Sequence, residues 1–202
     1  NHAGVAGKYM MARLASILAQ PVLASEFQEA TAGLLDSDSL VIAISQSGET
    51  SDTIDAVKYA KHMGAKVIAV TNVVGSSITR IADSVIYTRA GPEIGVAATK
   101  TFLTQLAVLA LLAIKLGEVR GLLNSREAES LRESLHATPK RVSETIKNTE
   151  SAIKVMAKQL SRKESCFFLG RGISTATAME GALKLKEISY VHAEAYPAGE
   201  SK

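Results

Sequence analysis

The sequence carries almost nothing that could tie it together covalently. Its 202 residues include one cysteine, Cys166, so an intramolecular disulfide is excluded and a reducing, cytoplasmic setting is expected. The apolar neighbours of Cys166 predict a small core residue in a strand. Aromatic residues make up 4%, the net charge is +3, and no basic block exceeds a pair such as Arg162-Lys163, which argues against a nucleic-acid surface. The longest apolar run, Leu106 to Ile114, is well short of the roughly 20 residues that cross a bilayer and predicts a central, fully buried helix. Residues 1–20 lack the compact apolar segment and cleavage site of a signal peptide. No Cys/His spacing suits a metal, and neither G-x-x-x-x-G-K-S/T nor a full G-x-G-x-x-G is present. The start lacks Met, so the chain is expected to be cut from something longer. What is there in quantity is hydrophobic content, 47% against 21% charged, enough for a packed core in one large domain or two small ones.

One stretch organises the rest. Leu40 to Ile44 has the length and β-branched content of a buried strand, and it stops at Ser45-Gln46-Ser47-Gly48. A helical pattern follows at Thr50, Thr53, Ile54, Val57, Ala60 and Lys61. A strand, a polar turn and a helix start direct backbone N–H groups and the positive helix end at one spot, a natural anion site. Gly48 permits close backbone approach, and Ser45, Ser47 and Thr50 add hydroxyl donors. With no lysine in the turn, a small phosphate monoester suits it better than a nucleoside triphosphate. The plainer alternative is a Ser-rich helix cap.

The remainder falls into order around that turn. Residues 2–19 predict a helix with Val5, Tyr9, Ala12, Leu14 and Leu18 near one stripe, ended by Pro21. Pro21 to Ala24 predicts a short strand, Ser25-Glu26-Phe27 a helical turn and Asp36 to Ser39 a turn. Val67 to Thr71 and Val85 to Tyr87 predict further strands, with Ser76 or Ser77 capping a short helix between them. Near-continuous apolar strands alternating with helices indicate α/β architecture, a parallel sheet covered on both faces, with ligands beyond the carboxyl ends of the strands. The Gly-rich stretch Ala90 to Lys100 either lies beside the first turn or merely connects, with Thr99 capping the helix Thr101 to Leu116. Residues 117–124 predict a loop, and Ser125 to Leu160 two charged helices interrupted by Pro139, their charges paired on solvated faces.

A second unit opens at Ser165 to Gly172, again an apolar strand running into a Gly turn, and Ser174 or Thr175 is placed to cap a helix over 176–190. Helix 2–19 followed by Pro21 to Glu26 faintly echoes helix 176–190 followed by Ala193 to Glu200. On the last helix Glu180, Lys184 and Glu187 share a face at spacings of four and three. They read either as an ion-pair ladder or as a carboxylate base with an assisting cation; desolvation favours the base, and Lys184 works against it. His62 and His136 fall in polar helical contexts, and His192 follows the last helix, where it could meet the final carbonyls.

Ser45-Gln-Ser-Gly-Glu-Thr50, Glu93 to Lys100, Phe168-Leu-Gly-Arg-Gly172 and Glu180 to Tyr190, with His192-Ala-Glu-Ala-Tyr196, resemble the isomerase part of the glucosamine-6-phosphate synthases. The first motif alone indicates the wider sugar isomerase (SIS) class; the last is far more specific. The resemblance implies a three-layer α-β-α fold with a flavodoxin-like parallel sheet. It implies a first sugar isomerase domain at 1–122 lacking its first strand, bridging helices at 123–160, and the start of a second domain at 161–202. It further implies that Ser45, Gln46, Ser47 and Thr50 hold a sugar phosphate, that Val96 contacts the sugar through its backbone, and that Glu187 moves a proton between C1 and C2 with Lys184 close by. The ligands implied are fructose 6-phosphate, glucose 6-phosphate and glucosamine 6-phosphate, with no cofactor or metal, no nucleic acid and no membrane. A homodimer and a glutaminase domain in the parent chain are implied too. The departures are the family's Cys-led glutaminase domain, its Cys-Gly-Thr-Ser-like turn, the His beyond residue 202 and the C-terminal Schiff-base Lys. Ala98 also stands where relatives can carry Ser. The fragment is therefore expected to bind a hexose phosphate weakly and to isomerise none. The alternatives are a phosphosugar deaminase or isomerase of the same fold and a non-catalytic phosphosugar sensor.

Overall fold

The computed structural model describes residues 1–201. The chain divides into two compact units, one made of residues 1–8 and 18–110, the other of residues 9–17 with Leu111 onward.

In the first unit three strands, β1 (Leu40–Ser45), β2 (Lys66–Thr71) and β3 (Ser84–Tyr87), form a parallel sheet in the order β1-β2-β3. Ala43 pairs with Ala69 and Ser45 with Thr71, so the carboxyl ends of β1 and β2 are level. Helix α3 (Ser51–His62) buries Thr53, Ala56, Val57 and Ala60, an i, i+3, i+4, i+7 face. Ala56, Val57 and Ala60 join Val67, Ala69, Phe27 and Ile78 in one core. Val57, Val67 and Ile78 are fully buried, each stabilising the fold by about 1.5–3 kcal/mol relative to exposure. Phe27, from the short helix α2 (Phe27–Thr31), meets Tyr59 edge to face. Asp36 builds the expected turn, its Oδ1 accepting from the Asp38 amide and the Ser39 hydroxyl. Asp83 locks β3 to its neighbours: one oxygen accepts from Lys61 at 2.6 Å, the other from the Val67 amide at 2.8 Å.

In the second unit β4 (Ser165–Gly170) and β5 (His192–Pro197) pair in parallel, and α8 (Ser174–Ser189) packs on both. A Cβ on Gly181 would lie 3.0 Å from the Phe168 ring, so a small residue lets α8 approach β4. Helix α6 (Ser125–His136) opens with a capping box between Asn124 and Glu127, and Glu118 pairs with Arg132. Helix α7 (Thr138–Leu160) carries Pro139 in its first turn, where the missing N–H costs nothing, and exposes charged pairs such as Glu150 with Lys154.

Several expectations are corrected. Helix α1 (His2–Ala15) stops four residues early, because Ser16 adopts a left-handed φ of 50°. Its buried residues are the small Ala3, Ala6, Gly7 and Ala15 with Met11, while Ala12 and Leu18 are exposed. Residues 21–23 form no strand; a single 3₁₀ turn at Ala24–Glu26 leads into α2. Helix α5 (Lys100–Val119) runs three residues past its predicted end and is not fully buried. Leu109, Ala113 and Ile114 are covered, whereas Leu103, Leu111 and Val119 are exposed. By length and composition alone α5 could cross a bilayer. Its covered residues instead make close helix contacts: Leu109 lies 3.2 Å from where a Gly7 Cβ would stand, and a Gly117 Cβ would sit 2.3 Å from the Leu14 carbonyl. Cys166 is half-buried rather than in the core; α8 covers one face of the β4–β5 pair and leaves Phe167 and Leu169 exposed on the other. His192 opens β5, and its Nε2 lies 3.4 Å from Glu194 rather than at helix carbonyls.

Candidate functional site

The turn between β1 and α3 stands beyond the carboxyl edge of the first sheet. Gly48 has φ 68°, and a Cβ there would lie 2.2 Å from the Ser76 hydroxyl and 2.9 Å from Ile78. No other residue fits that position. Ser45, buried at the strand end, accepts from the Gly48 amide at 3.0 Å and faces the Thr50 hydroxyl at 3.4 Å. Ser47 accepts from the Glu49 amide at 3.2 Å. The hydroxyls thus shape the turn with their oxygens, and Ser47 and Thr50 remain accessible. Thr50 occupies the N-cap position without a capping bond. Among the described residues the amides of Ser51, Asp52 and Thr53 meet no acceptor, so the first turn of α3 offers three donors and its positive dipole end. The turn is braced from below by Gly48 O, which accepts from Ile78, and by Gln46 O, which accepts from Asn72.

Glu49 points away from that spot. Its carboxylate accepts from the Ser77 amide at 2.7 Å and so caps α4 (Ser77–Ile81), a task expected of Ser76 or Ser77. Ser76 instead donates to Val73 O. The bonds from Ser77 hold the Glu49 carboxyl below its ordinary range. Glu93 does the same for α5. Its Oε2 accepts from the Thr101 hydroxyl at 2.8 Å and from the amides of Thr101 and Thr99 at 3.2 and 3.3 Å. Thr99 was expected to cap α5; the bonds at its start run to Glu93. The Thr101 hydroxyl is the first cause holding the Glu93 carboxyl low, with the Thr101 and Thr99 amides adding to it.

A cavity of about 550 Å³ opens beside the turn, lined by Gln46, Asn72, Val73, Val74, Arg89 and the stretch Gly91 to Glu93. Of the turn only Gln46 lines it; Ser45, Ser47 and Thr50 do not. Asn72 organises its far wall, donating to Gly91 O at 2.7 Å and accepting from the Thr88 hydroxyl and the Ala90 amide at 3.0 and 2.8 Å. Val96 lies on the exposed stretch before α5, 98% accessible. Sequence reasoning missed Asn72, Arg89 and Glu93 as site builders. Asn72 directly follows a strand, which is the one signal that could have marked it.

In the second unit the face of α8 forms as spaced. Lys184 lies 3.4 Å from Glu180 and 2.5 Å from Glu187, with side chains 18%, 14% and 31% accessible. Glu180 and Lys184 are sheltered, and Glu187 stands at the exposed end of the ladder. Oε2 of Glu187 takes the lysine bond, and among the described residues Oε1 takes none. Both Ser174 and Thr175 fail as caps: Ile173 holds the cap position, and the Thr175 hydroxyl donates to Gly170 O inside the turn.

A family model described as "SIS domain" matches residues 1–115 and 159–202. The glutamine–fructose-6-phosphate aminotransferase (isomerizing) of Clostridium tetani is 50% identical over 201 residues, all of this chain and 33% of that protein. The protein of the same name from Thermococcus kodakarensis is 53% identical over 201 residues, again 33% of its length. The chain therefore spans about a third of the curated relatives it matches. The solved C-terminal domain of glucosamine-fructose-6-phosphate aminotransferase from Francisella tularensis superposes with a TM-score of 0.94 at 38% identity, over 98% of this chain and 56% of that one. Glucosamine-6-phosphate deaminase from Thermotoga maritima shares the fold, with a TM-score of 0.76 at 23% identity over 98% of this chain and 58% of that one.

Proposed function

The chain belongs to the SIS domain family, and we propose from that premise that it is the sugar-phosphate-binding isomerase region of a glutamine–fructose-6-phosphate aminotransferase. In the complete enzyme the reaction would turn fructose 6-phosphate and glutamine-derived ammonia into glucosamine 6-phosphate, by Schiff base formation and 1,2-proton transfer. Ser45, Gln46, Ser47 and Thr50 would hold the phosphate, and the backbone of Val96 would contact the sugar. Glu187 would carry the proton between C1 and C2 on its unengaged oxygen, with Lys184 fixing the other. A cytoplasmic homodimer with a glutaminase domain in the same parent chain completes the reading.

The observation that carries it is the turn at Gly48. Its left-handed glycine brings a run of amides together, and three helix-start N–H groups there have no acceptor among the described residues. A phosphate monoester presents the oxygens such a run of neutral donors satisfies. Fructose 6-phosphate titrated into the 202-residue chain should bind, and Ser47→Ala with Thr50→Ala should weaken it by about tenfold or more. An unchanged affinity would remove the phosphate assignment. In the full-length enzyme Glu187→Gln should lower kcat by about 10²–10⁴ while sugar-phosphate affinity is kept. An unaltered kcat would favour the sensing module instead. The fragment itself should show no isomerase turnover.

A further inference from the structure

The cavity beyond β1 to β3 presents a cation that the phosphate turn does not use. Arg89 lines it with a backbone φ of 54°, a left-handed conformation that costs an L residue about 1–2 kcal/mol. The residues on either side are both tied to one atom, Asn72 Oδ1, by the Thr88 hydroxyl and the Ala90 amide, and Asn72 also grips Gly91 O. Strain imposed by surroundings this heavily bonded is characteristic of binding sites. The guanidinium lies over the Tyr87 ring, 5.4 Å from its centre, a cation–π contact. Among the described residues its one recorded contact is this ring, so its hydrogen-bond donors are uncommitted.

The other charge on the wall, Glu93, stays ionised, but its Oε2 is turned to the start of α5. Glu93 spends its carboxylate on the hydroxyl and two amides at the start of α5. Val73, Val74 and Pro92 give the cavity apolar walls that stay open to solvent. Its volume falls inside the range of small-molecule sites. The geometry points to a second anion-binding site in this cavity, beside the Ser45–Thr50 turn and sharing only Gln46 with it, in which Arg89 grips the carboxylate or phosphate of a small metabolite. The planar fork of an arginine suits both oxyanions. The site does not depend on the sugar-phosphate reading of the turn.

The test is a nuclear magnetic resonance titration of the 202-residue chain with inorganic phosphate and, separately, with succinate at constant ionic strength. The Gly91 amide and the Asn72 side-chain amide report on the cavity; the Gly48 and Glu49 amides report on the turn. At least one of the two anions should saturate the cavity signals. Arg89→Gln should weaken that curve by about tenfold or more and leave the turn signals unchanged. Arg89→Gly, which suits the left-handed backbone, should lose the cavity curve equally without lowering Tm, so lost charge is told apart from lost fold. Cavity signals that ignore both anions, or that saturate in the two Arg89 variants just as in the unaltered chain, overturn the site. Loss of the turn signals alone with Ser47→Ala and Thr50→Ala counts for the phosphate turn and leaves the Arg89 curve standing.

Discussion

The two strand–glycine–helix turns of this chain look alike on paper and differ in what they leave over. After β1, Gly48 turns the chain with φ 68°, serine oxygens absorb the amides of Gly48 and Glu49, and the first three amides of α3 stay uncommitted among the described residues. After β4, Gly172 turns the chain with φ 57°, and the amides of Ser174, Thr175 and Ala176 bond back to Arg171, Gly172 and Ile173. The second turn consumes its own donors; the first keeps them for something else. A glycine and a few hydroxyls between strand and helix therefore do not define an anion site. What defines it is where the amides of the first helical turn go.

The comparison breaks most visibly at the glycines. Gly48→Ala combines a left-handed backbone with overlap on Ser76 and Ile78, and should cost about 2–4 kcal/mol in denaturant unfolding. It should also abolish sugar-phosphate binding. A cost near zero would mean the turn relaxes freely and the amides are not held in place. Next in size, Asn72→Ala removes three bonds that hold residues 88–91 and should destabilise by about 1–3 kcal/mol, with faster amide exchange at Ala90. Gly172→Ala meets no atom within 4 Å and pays only for its backbone, about 1–2 kcal/mol, with no effect on phosphate binding. If phosphate signals respond to Gly172→Ala, the two turns are not functionally distinct.

A pH series sharpens the same contrast. The carboxyls held low are Glu49 by Ser77, Asp83 by Lys61 and then the Val67 amide, and Glu93 by the Thr101 hydroxyl; all three lie in the first unit. A carboxyl whose folded value is lowered favours the fold above its ordinary range, and that contribution is lost as pH falls through the lowered value. Amide exchange followed from pH 6 down should show α4 and the start of α5 loosening below about pH 4. Glu49→Gln with Glu93→Gln should flatten that dependence. In the second unit, Tyr196 is pushed up by its bond to Glu194, so any stabilisation of the protonated phenol is present at neutral pH and lost only in strong base.

Most of the architecture was legible. The apolar runs at 40–44, 67–71 and 85–87 became parallel strands in order, because continuous β-branched runs have few other places to go than a sheet covered by helices. The family was legible from four short motifs, and the match to the SIS domain upholds it. The helix caps were not legible. Local Ser and Thr at 76, 77, 99, 174 and 175 were the natural candidates, yet two carboxylates outside the helices they cap did the work, Glu49 for α4 and Glu93 for α5. A donor's partner 28 residues away leaves no trace in local pattern. Nor did the run around Cys166 and Phe167 reveal that only one side of β4 is covered, since a continuous apolar run reads the same whether one face or both are buried.

By itself, then, the sequence determined the order of strands and helices, the glycine turn after β1 and the spacing that puts Glu180, Lys184 and Glu187 on one face of α8. Those are properties of neighbours along the chain, governed by backbone preference and helical period. Only the tertiary structure decided which hydroxyl brings an oxygen to which amide, that Asn72 pins residues 88–91, and that Arg89 is held strained at a cavity wall. Those depend on distances between segments far apart in sequence, which the packing of the sheet sets.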